Sequence, residues 1–193
     1  MERAVDFHGH ICPGLLIGVR AAALALTWLN VDPDEDENLV AVVYNDACGV
    51  DAIQAILSCT FGKGNLIHRD MGKNVYIIAR RSDPRAVRIA QKPGVTDTLD
   101  GRRWREISRI SQPSAAEEEE RENLRMAMFE YIMGLSVEDL FNITEVSLEL
   151  PAKASIHNSV ICADCGELVM EPRAAVTERG PVCPECVGGK SNV

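Results

Sequence analysis

Eight side chains in this sequence have the types and spacing to hold metal ions, and they fall into two groups. In the C-terminal group, Cys162-Ala-Asp-Cys165 and Cys183-Pro-Glu-Cys186 are separated by seventeen residues. Each Cys-x-x-Cys turn points two sulfurs at one ion, and this spacing fits a four-thiolate zinc ribbon. Gly166 follows the first pair, where a knuckle needs a backbone free of Cβ strain. So short a segment cannot bury enough apolar surface to fold alone, so the metal supplies the folding free energy. The alternative is two disulfides, which would suit a secreted protein.

The N-terminal group is His8, His10 and Cys12, joined by Cys48. An extended stretch over residues 7–12 would point alternate residues to one side, offering two imidazoles and a thiolate to one ion. Cys12 precedes Pro13, which opens a helix, so the helix dipole is expected to lower its thiol pKa. Cys48 follows a strand and precedes a helix, the place where ligands collect in α/β structures. Such a mixed nitrogen and sulfur set suits zinc, nickel or iron. In a reactive reading Cys12 or Cys48 is ligand or nucleophile and His10 is ligand or proton carrier. Lys63, between Gly62 and Gly64, would clamp a small anion. A glycine-rich turn with a surface lysine is an equal account of that loop. His8, Cys59, Asp46 and Asp51 complete the candidate cofactor site. The two aspartates serve as helix caps or as partners that orient a ligand. Cys59 fits a buried core position better than a ligand. His68 and His157 read as non-ligands.

Secondary structure must position these groups. The apolar run after Pro13 predicts a buried helix to about Leu29. The acidic stretch Asp32 to Glu37 reads as a solvated loop. LVAVVY within residues 38–45 predicts a buried strand, and a second helix follows from Val50 to Cys59. Residues 61–65 form a turn-rich loop, and NVYIIAR over 74–80 a further strand. Asp83-Pro84 reads as a cap and first-turn proline, predicting a short helix to Gln91. A short strand is expected around Trp104 to Ile107. Ser114-Ala-Ala-Glu117 is a capping box, and the helix it opens carries a stripe of Met126, Phe129, Ile132 and Met133 to about Gly134. That stripe serves the core or a dimer contact. Ser136 to Leu140 is a short helical turn, and Val146 to Leu150 a strand. The domain reading is a core over residues 1–150, a linker over 151–158, and a ribbon over 159–193 with a disordered tail.

Composition narrows the function. The net charge of −9 argues against general affinity for nucleic acid phosphates. The ribbon itself sets Arg173, Arg179 and Lys190 against Glu167, Glu171, Glu178 and Glu185, with no basic face. The apolar run from Leu15 to Leu29 is broken by Arg20 and too short to span a bilayer. No secretory signal is visible, and the odd count of seven cysteines points to a reducing cytoplasm.

Three segments carry a resemblance: FHGHICPGLLIG, DACGVDAIQAILSCTFGKGNL and RDMGKNVYIIAR. In this order they resemble the FmdE family, named for a component of formylmethanofuran dehydrogenase, over roughly residues 1–150. The C-terminal pairs resemble the TraR-type zinc ribbon that many members carry. The resemblance implies an α+β fold, a mixed sheet with helices packed on it, plus a small zinc ribbon. It implies a homodimer and association with dehydrogenase subunits. It also implies a cavity lined by His8, His10, Cys12, Cys48 and Cys59, with Lys63, Asp70 and Lys73 nearby. No pterin-binding chain or iron–sulfur spacing is present. The expectation is therefore an accessory or stand-alone metal-binding protein of one-carbon and molybdenum or tungsten metabolism. Metal delivery, sensing or regulation through the ribbon is the alternative.

Overall fold

A computed structural model describes residues 1–33, 38–83, 85–150, 152–153 and 156–188. The expectations for the acidic loop over Asp34 to Glu37, for Pro84, for Pro151, Ala154 and Ser155 of the linker, and for the tail beyond Gly188 lie outside the described residues. The chain divides into two compact units, Met1–Lys153 and Ala154–Val193.

The first unit runs α1 (Glu2–His8), α2 (Pro13–Leu29), β1 (Leu39–Val43), α3 (Gly49–Leu57), β2 (Leu66–His68), β3 (Val75–Arg80) and β4 (Arg85–Gln91). It continues with α4 (Leu99–Ile107), α5 (Ala115–Gly134), α6 (Val137–Leu140) and β5 (Phe141–Ser147). The five strands form one mixed sheet in the order β2-β1-β3-β4-β5, parallel between β1 and β2 and antiparallel elsewhere. This is an α+β architecture. All five residues of β1 are buried because both faces of the sheet are covered. Leu39, Ala41 and Val43 join the main core with α2 and α3, while Val42 joins Val75 and Ile77 on the other face, against Leu148 and Leu150.

Helices α2 and α3 approach closely at two glycines. A Cβ on Gly18 would lie 2.3 Å from the Gly49 carbonyl oxygen, so the two helix backbones touch where no side chain fits. This contact sets the start of α2 beside the start of α3, and with them Cys12 and Cys48.

Several expectations are corrected. Residues 7–12 are not an extended run: helix α1 ends at His8, and Gly9 turns the chain at φ 87° with its N–H on the Val5 carbonyl. Residues 85–91 form strand β4 rather than a helix. Ala86, Val87 and Ile89 are buried, and pairing with both β3 and β5 outweighs the helix-start signal. Asp83 accepts from the Arg85 N–H at 2.9 Å, so its capping chemistry serves the connection between two strands. The short strand expected around Trp104 is helix α4, capped by Thr98, whose side chain accepts from the Gly101 N–H at 3.0 Å. Strand β5 starts at Phe141, earlier than expected. Helix α3 stops at Leu57, where Ser58 turns left-handed at φ 55°. Strand β2 was not foreseen. The capping box at Ser114 forms in full, yet the buried face of α5 is Met128 and Ile132, while Met126 and Met133 are exposed.

The second unit holds two hairpins, β6 (Ser159–Ile161) with β7 (Leu168–Met170) and β8 (Ala175–Thr177) with β9 (Gly180–Val182), then the short α7 (Pro184–Val187). Its core among the described residues is Cys162, Val182 and Cys183. So little apolar burial cannot by itself offset the ordering of a chain this long, which is the setting in which a bound metal contributes to folding.

Candidate metal centres and an adjoining cavity

In the second unit, Cys162 follows β6 and Gly166, at φ 77°, turns the knuckle so that its N–H returns to the Cys162 carbonyl at 3.0 Å. The Cys183 N–H donates to Cys162 Sγ at 3.3 Å, and Cys165 and Cys183 sulfurs stand 3.9 Å apart. All four sulfurs lie within 4.8 Å of one another. N–H groups of Cys165 and Cys183 bring the Cys162 thiol down to about 6, whereas the adjacent Cys183 thiol and burial push Cys186 up. A thiol set in which one member ionises readily and the rest crowd it fits a dication that would neutralise all four.

The first unit gathers a second set. His8 closes α1, Cys12 caps α2 and Cys48 caps α3, and their Nε2 and two Sγ atoms lie within 4.8 Å of one another. Asp51, in the first turn of α3, accepts from His8 Nδ1 at 2.6 Å. That bond assigns the ring proton to Nδ1 and leaves the Nε2 lone pair facing Cys12 Sγ, 3.8 Å away. A carboxylate behind a histidine is how metal-binding imidazoles are oriented. Gly14 makes room for the pair: a Cβ there would lie 3.3 Å from Cys48 Cβ and 3.9 Å from both sulfurs. Asn45 orders the turn before Cys48, accepting from the Ala47 N–H at 3.1 Å and donating to the Lys73 carbonyl at 2.9 Å.

The expected lowering of the Cys12 pKa is overturned. Burial and then the neighbouring Cys48 push this thiol up to about 11, although the Leu15 N–H reaches its sulfur at 3.4 Å. At 6% exposure the loss of hydration outweighs the helix N-terminus. The donor set of one oriented imidazole and two thiols fits a soft or borderline metal, whose charge would replace the thiol protons.

The other candidate residues fall elsewhere. His10 is exposed, its ring centred 4.5 Å from that of His8, and it lines a cavity rather than joining the three ligand atoms. Asp46 is exposed. Cys59 is fully buried in the main core, its Sγ 3.8 Å from the Leu57 carbonyl. Lys63 sits in the turn beyond the far end of α3, and Asp70 and Lys73 are exposed. His68 and His157 are exposed as well.

Cys12 and Cys48 line a cavity of about 860 Å³ together with Trp104, Ser108, Arg121, Glu122 and Arg125 from α4, α5 and the turn after α4. The strand expected around Trp104 hides the α4 part of this lining, while Arg121, Glu122 and Arg125 lie on the expected helix α5 but carry no local sign that they share a cavity with Cys12 and Cys48. Tyr76 is likewise unmarked in the sequence; it is buried beside Gly49, where a Cβ would lie 2.1 Å from the phenol oxygen, and burial pushes the phenol up. An arrangement of three ligands beside a cavity leaves room for a fourth ligand from outside the protein.

Comparison with known proteins agrees with this picture. The sequence profile described as FmdE, Molybdenum formylmethanofuran dehydrogenase operon, matches residues 7–142. The chain belongs to the FmdE family. It is 30% identical over 195 residues to a protein of Archaeoglobus fulgidus named "Probable S-adenosyl-L-methionine-binding protein". That alignment covers 96% of this chain and 52% of the relative, so this FmdE-family chain spans about half the relative's length. A crystal structure of a tungsten formylmethanofuran dehydrogenase FmdE-like protein from Syntrophus aciditrophicus superposes with a TM-score of 0.63 at 23% identity. The match covers 100% of this chain and 92% of that one, and it establishes a shared fold. No helix among the described residues is long and apolar enough to cross a membrane.

Proposed function

We propose that this FmdE-family chain is a metal-dependent protein of one-carbon and molybdenum or tungsten metabolism, acting alone or as an accessory subunit of a dehydrogenase. In this reading His8, Cys12 and Cys48 hold one zinc, nickel or iron ion. The observation that carries it is the convergence of one oriented imidazole nitrogen and two sulfurs within 4.8 Å at the wall of a cavity. Three protein ligands with an open side are the pattern of a reactive site, whereas four closed sulfurs are that of a structural one. The bound ion would polarise or activate a small molecule entering from the cavity. Asp51 orients His8, and His10 at the rim is placed to carry protons. Lys63, Cys59 and Asp46 stand apart from the cavity walls and have no part in this proposed site. The four C-terminal cysteines hold a structural zinc.

The same proposal includes a cytoplasmic homodimer. Seven unpaired thiols suit a reducing compartment, and α5 leaves Met126, Tyr131 and Met133 exposed for a second copy. The name of the Archaeoglobus relative makes S-adenosyl-L-methionine a natural first molecule to offer the cavity.

A non-enzymatic reading, metal delivery or regulation through the ribbon, draws on the exposed Ile161, Leu168, Met170 and Val176 of its hairpins, an apolar surface suited to docking. Exchange of the core metal within minutes against a competing chelator, without any turnover, would favour it.

The test is metal analysis of anaerobically purified protein. Wild type is expected to carry two ions per chain, and Cys12→Ser/Cys48→Ser one. A single zinc in both would remove the core metal from the account.

A further inference from the structure

We infer that the cavity beside Cys12 and Cys48 binds a cofactor-sized molecule bearing a flat ring and an anionic group, with Arg121 receiving that carboxylate or phosphate and Trp104 the ring. The inference rests on the proposed metal site and names what would be brought to it.

The volume of about 860 Å³ is far more than a one-carbon fragment or a simple inorganic anion fills, and lies in the range of sites that enclose cofactors. The two cations of its wall are not equivalent. Arg125 closes on Glu122, with Nε donating to Oε2 at 2.7 Å and a second guanidinium nitrogen on Oε1, so that charge is neutralised within the wall. Arg121 meets Glu118 only at 3.9 Å, beyond hydrogen-bonding distance, and among the described residues donates no hydrogen bond. Its planar fork of donors matches a carboxylate or a phosphate. It lines the same cavity as the two cysteines, so a molecule held there by one end shares that space with the thiols.

Trp104 supplies the second contact. Its half-buried side chain lines this cavity and also a smaller one of about 190 Å³, and Gly14 borders both. An indole lining two neighbouring voids has ring surface to offer, and stacking on a flat heterocycle is the contact such a surface makes. The smaller void leads to Asn74 and Gln91, which hydrogen-bond to each other at 2.7 Å through side-chain amides suited to the edge of a heterocycle.

Four probes separate the contributions: adenosine 5′-monophosphate, S-adenosyl-L-methionine, adenosine and inorganic phosphate. Each is titrated calorimetrically into the full chain, with and without metal. Saturable binding of the monophosphate or of S-adenosyl-L-methionine is expected, with adenosine and phosphate at least about tenfold weaker. Binding of the monophosphate alone identifies a phosphate ligand, and of S-adenosyl-L-methionine alone a carboxylate. Arg121→Gln should weaken the monophosphate and S-adenosyl-L-methionine by about tenfold or more and leave adenosine unchanged. Trp104→Leu should weaken all three. The inference is overturned if neither the monophosphate nor S-adenosyl-L-methionine binds, or if both variants leave their affinity within about twofold. The same titrations on Cys12→Ser/Cys48→Ser keep the two claims apart. Ligand binding by a protein that never takes up a second metal would sink the metal site and spare this one. A second metal without ligand binding would do the reverse.

Discussion

In the C-terminal unit, four sulfurs come from two Cys-x-x-Cys knuckles in one stretch of chain, each shaped by its own backbone hydrogen bonds. In the core, His8, Cys12 and Cys48 come from the end of one helix and the starts of two others, brought together because Gly18 and Gly49 let two helices touch. In the proposed reading the dependence runs in opposite directions. The ribbon, whose described core is Cys162, Val182 and Cys183, would need its metal in order to fold. The three-residue cluster would be assembled by a buried core that folds without metal, which would leave a coordination position free for something else.

The comparison is tested most severely by taking the ribbon metal away. Cys162→Ser with Cys183→Ser, or a strong chelator, is expected to unfold the second unit outright, since structural zinc contributes on the order of 10 kcal/mol. The core should keep its Tm. Dispersed ribbon resonances in the NMR spectrum of metal-free protein would contradict this asymmetry.

Gly18→Ala comes next. Its Cβ would meet the Gly49 carbonyl, a backbone atom that cannot swing aside, at 2.3 Å. Overpacking of this kind costs roughly 3 kcal/mol, read as a lower urea midpoint. The helix starts should separate, so core metal should be lost while ribbon metal stays. Retention of both ions would show that the cluster does not depend on this contact.

A smaller change is Asp51→Asn, which keeps the shape behind His8 and removes the carboxylate charge. Core metal affinity should fall by about 10–100-fold, with the ribbon unaffected, as measured by competition with a chromophoric chelator. Equal affinities would remove Asp51 from the site.

The smallest effect is expected far from both clusters, at the β3–β4 connection. Arg85, through its side chain and its N–H, holds the half-buried Asp83 carboxyl down at about 2. Because the folded pKa lies below the unfolded value of about 3.9, the pair's contribution is present above that value and fades as pH falls towards about 2. Asp83→Asn should thus lower Tm slightly near neutrality, by an amount that shrinks in acid. A difference that grew in acid would contradict the pairing.

Much of this was legible residue by residue. Pro13 and the apolar run after it marked α2, LVAVV marked a strand covered on both faces, and Ser114 with Glu117 marked the start of α5. These signals are local and agree with their surroundings. Asp83-Pro84 was a local signal that the surroundings overruled, because Val87 and Ile89 gain more between two neighbouring strands than in a solvated helical turn. Helix α4 was hidden by its composition, with Arg102, Arg103 and Arg105 crowding a stripe of only Gly101, half-buried Trp104 and Ile107 in a single short helix. The α4 part of the cavity lining was hidden with it, while Arg121, Glu122 and Arg125 lie on the expected helix α5 and carry no local sign of the cavity.

The sequence by itself determined which residues have metal chemistry, the two knuckles that aim four sulfurs at one point, the α+β class and the family. These depend on residue type and short spacing, which fold locally. Only the tertiary structure decided that His8 joins Cys12 and Cys48 while His10 turns to the cavity. It also decided that Asp51 rather than Asp46 supports the histidine, that Cys59 belongs to the core, and that Arg121 and Trp104 line the same cavity as the thiols. Those outcomes rest on glycine-mediated helix contact and on packing between segments far apart in the chain, which no local pattern encodes.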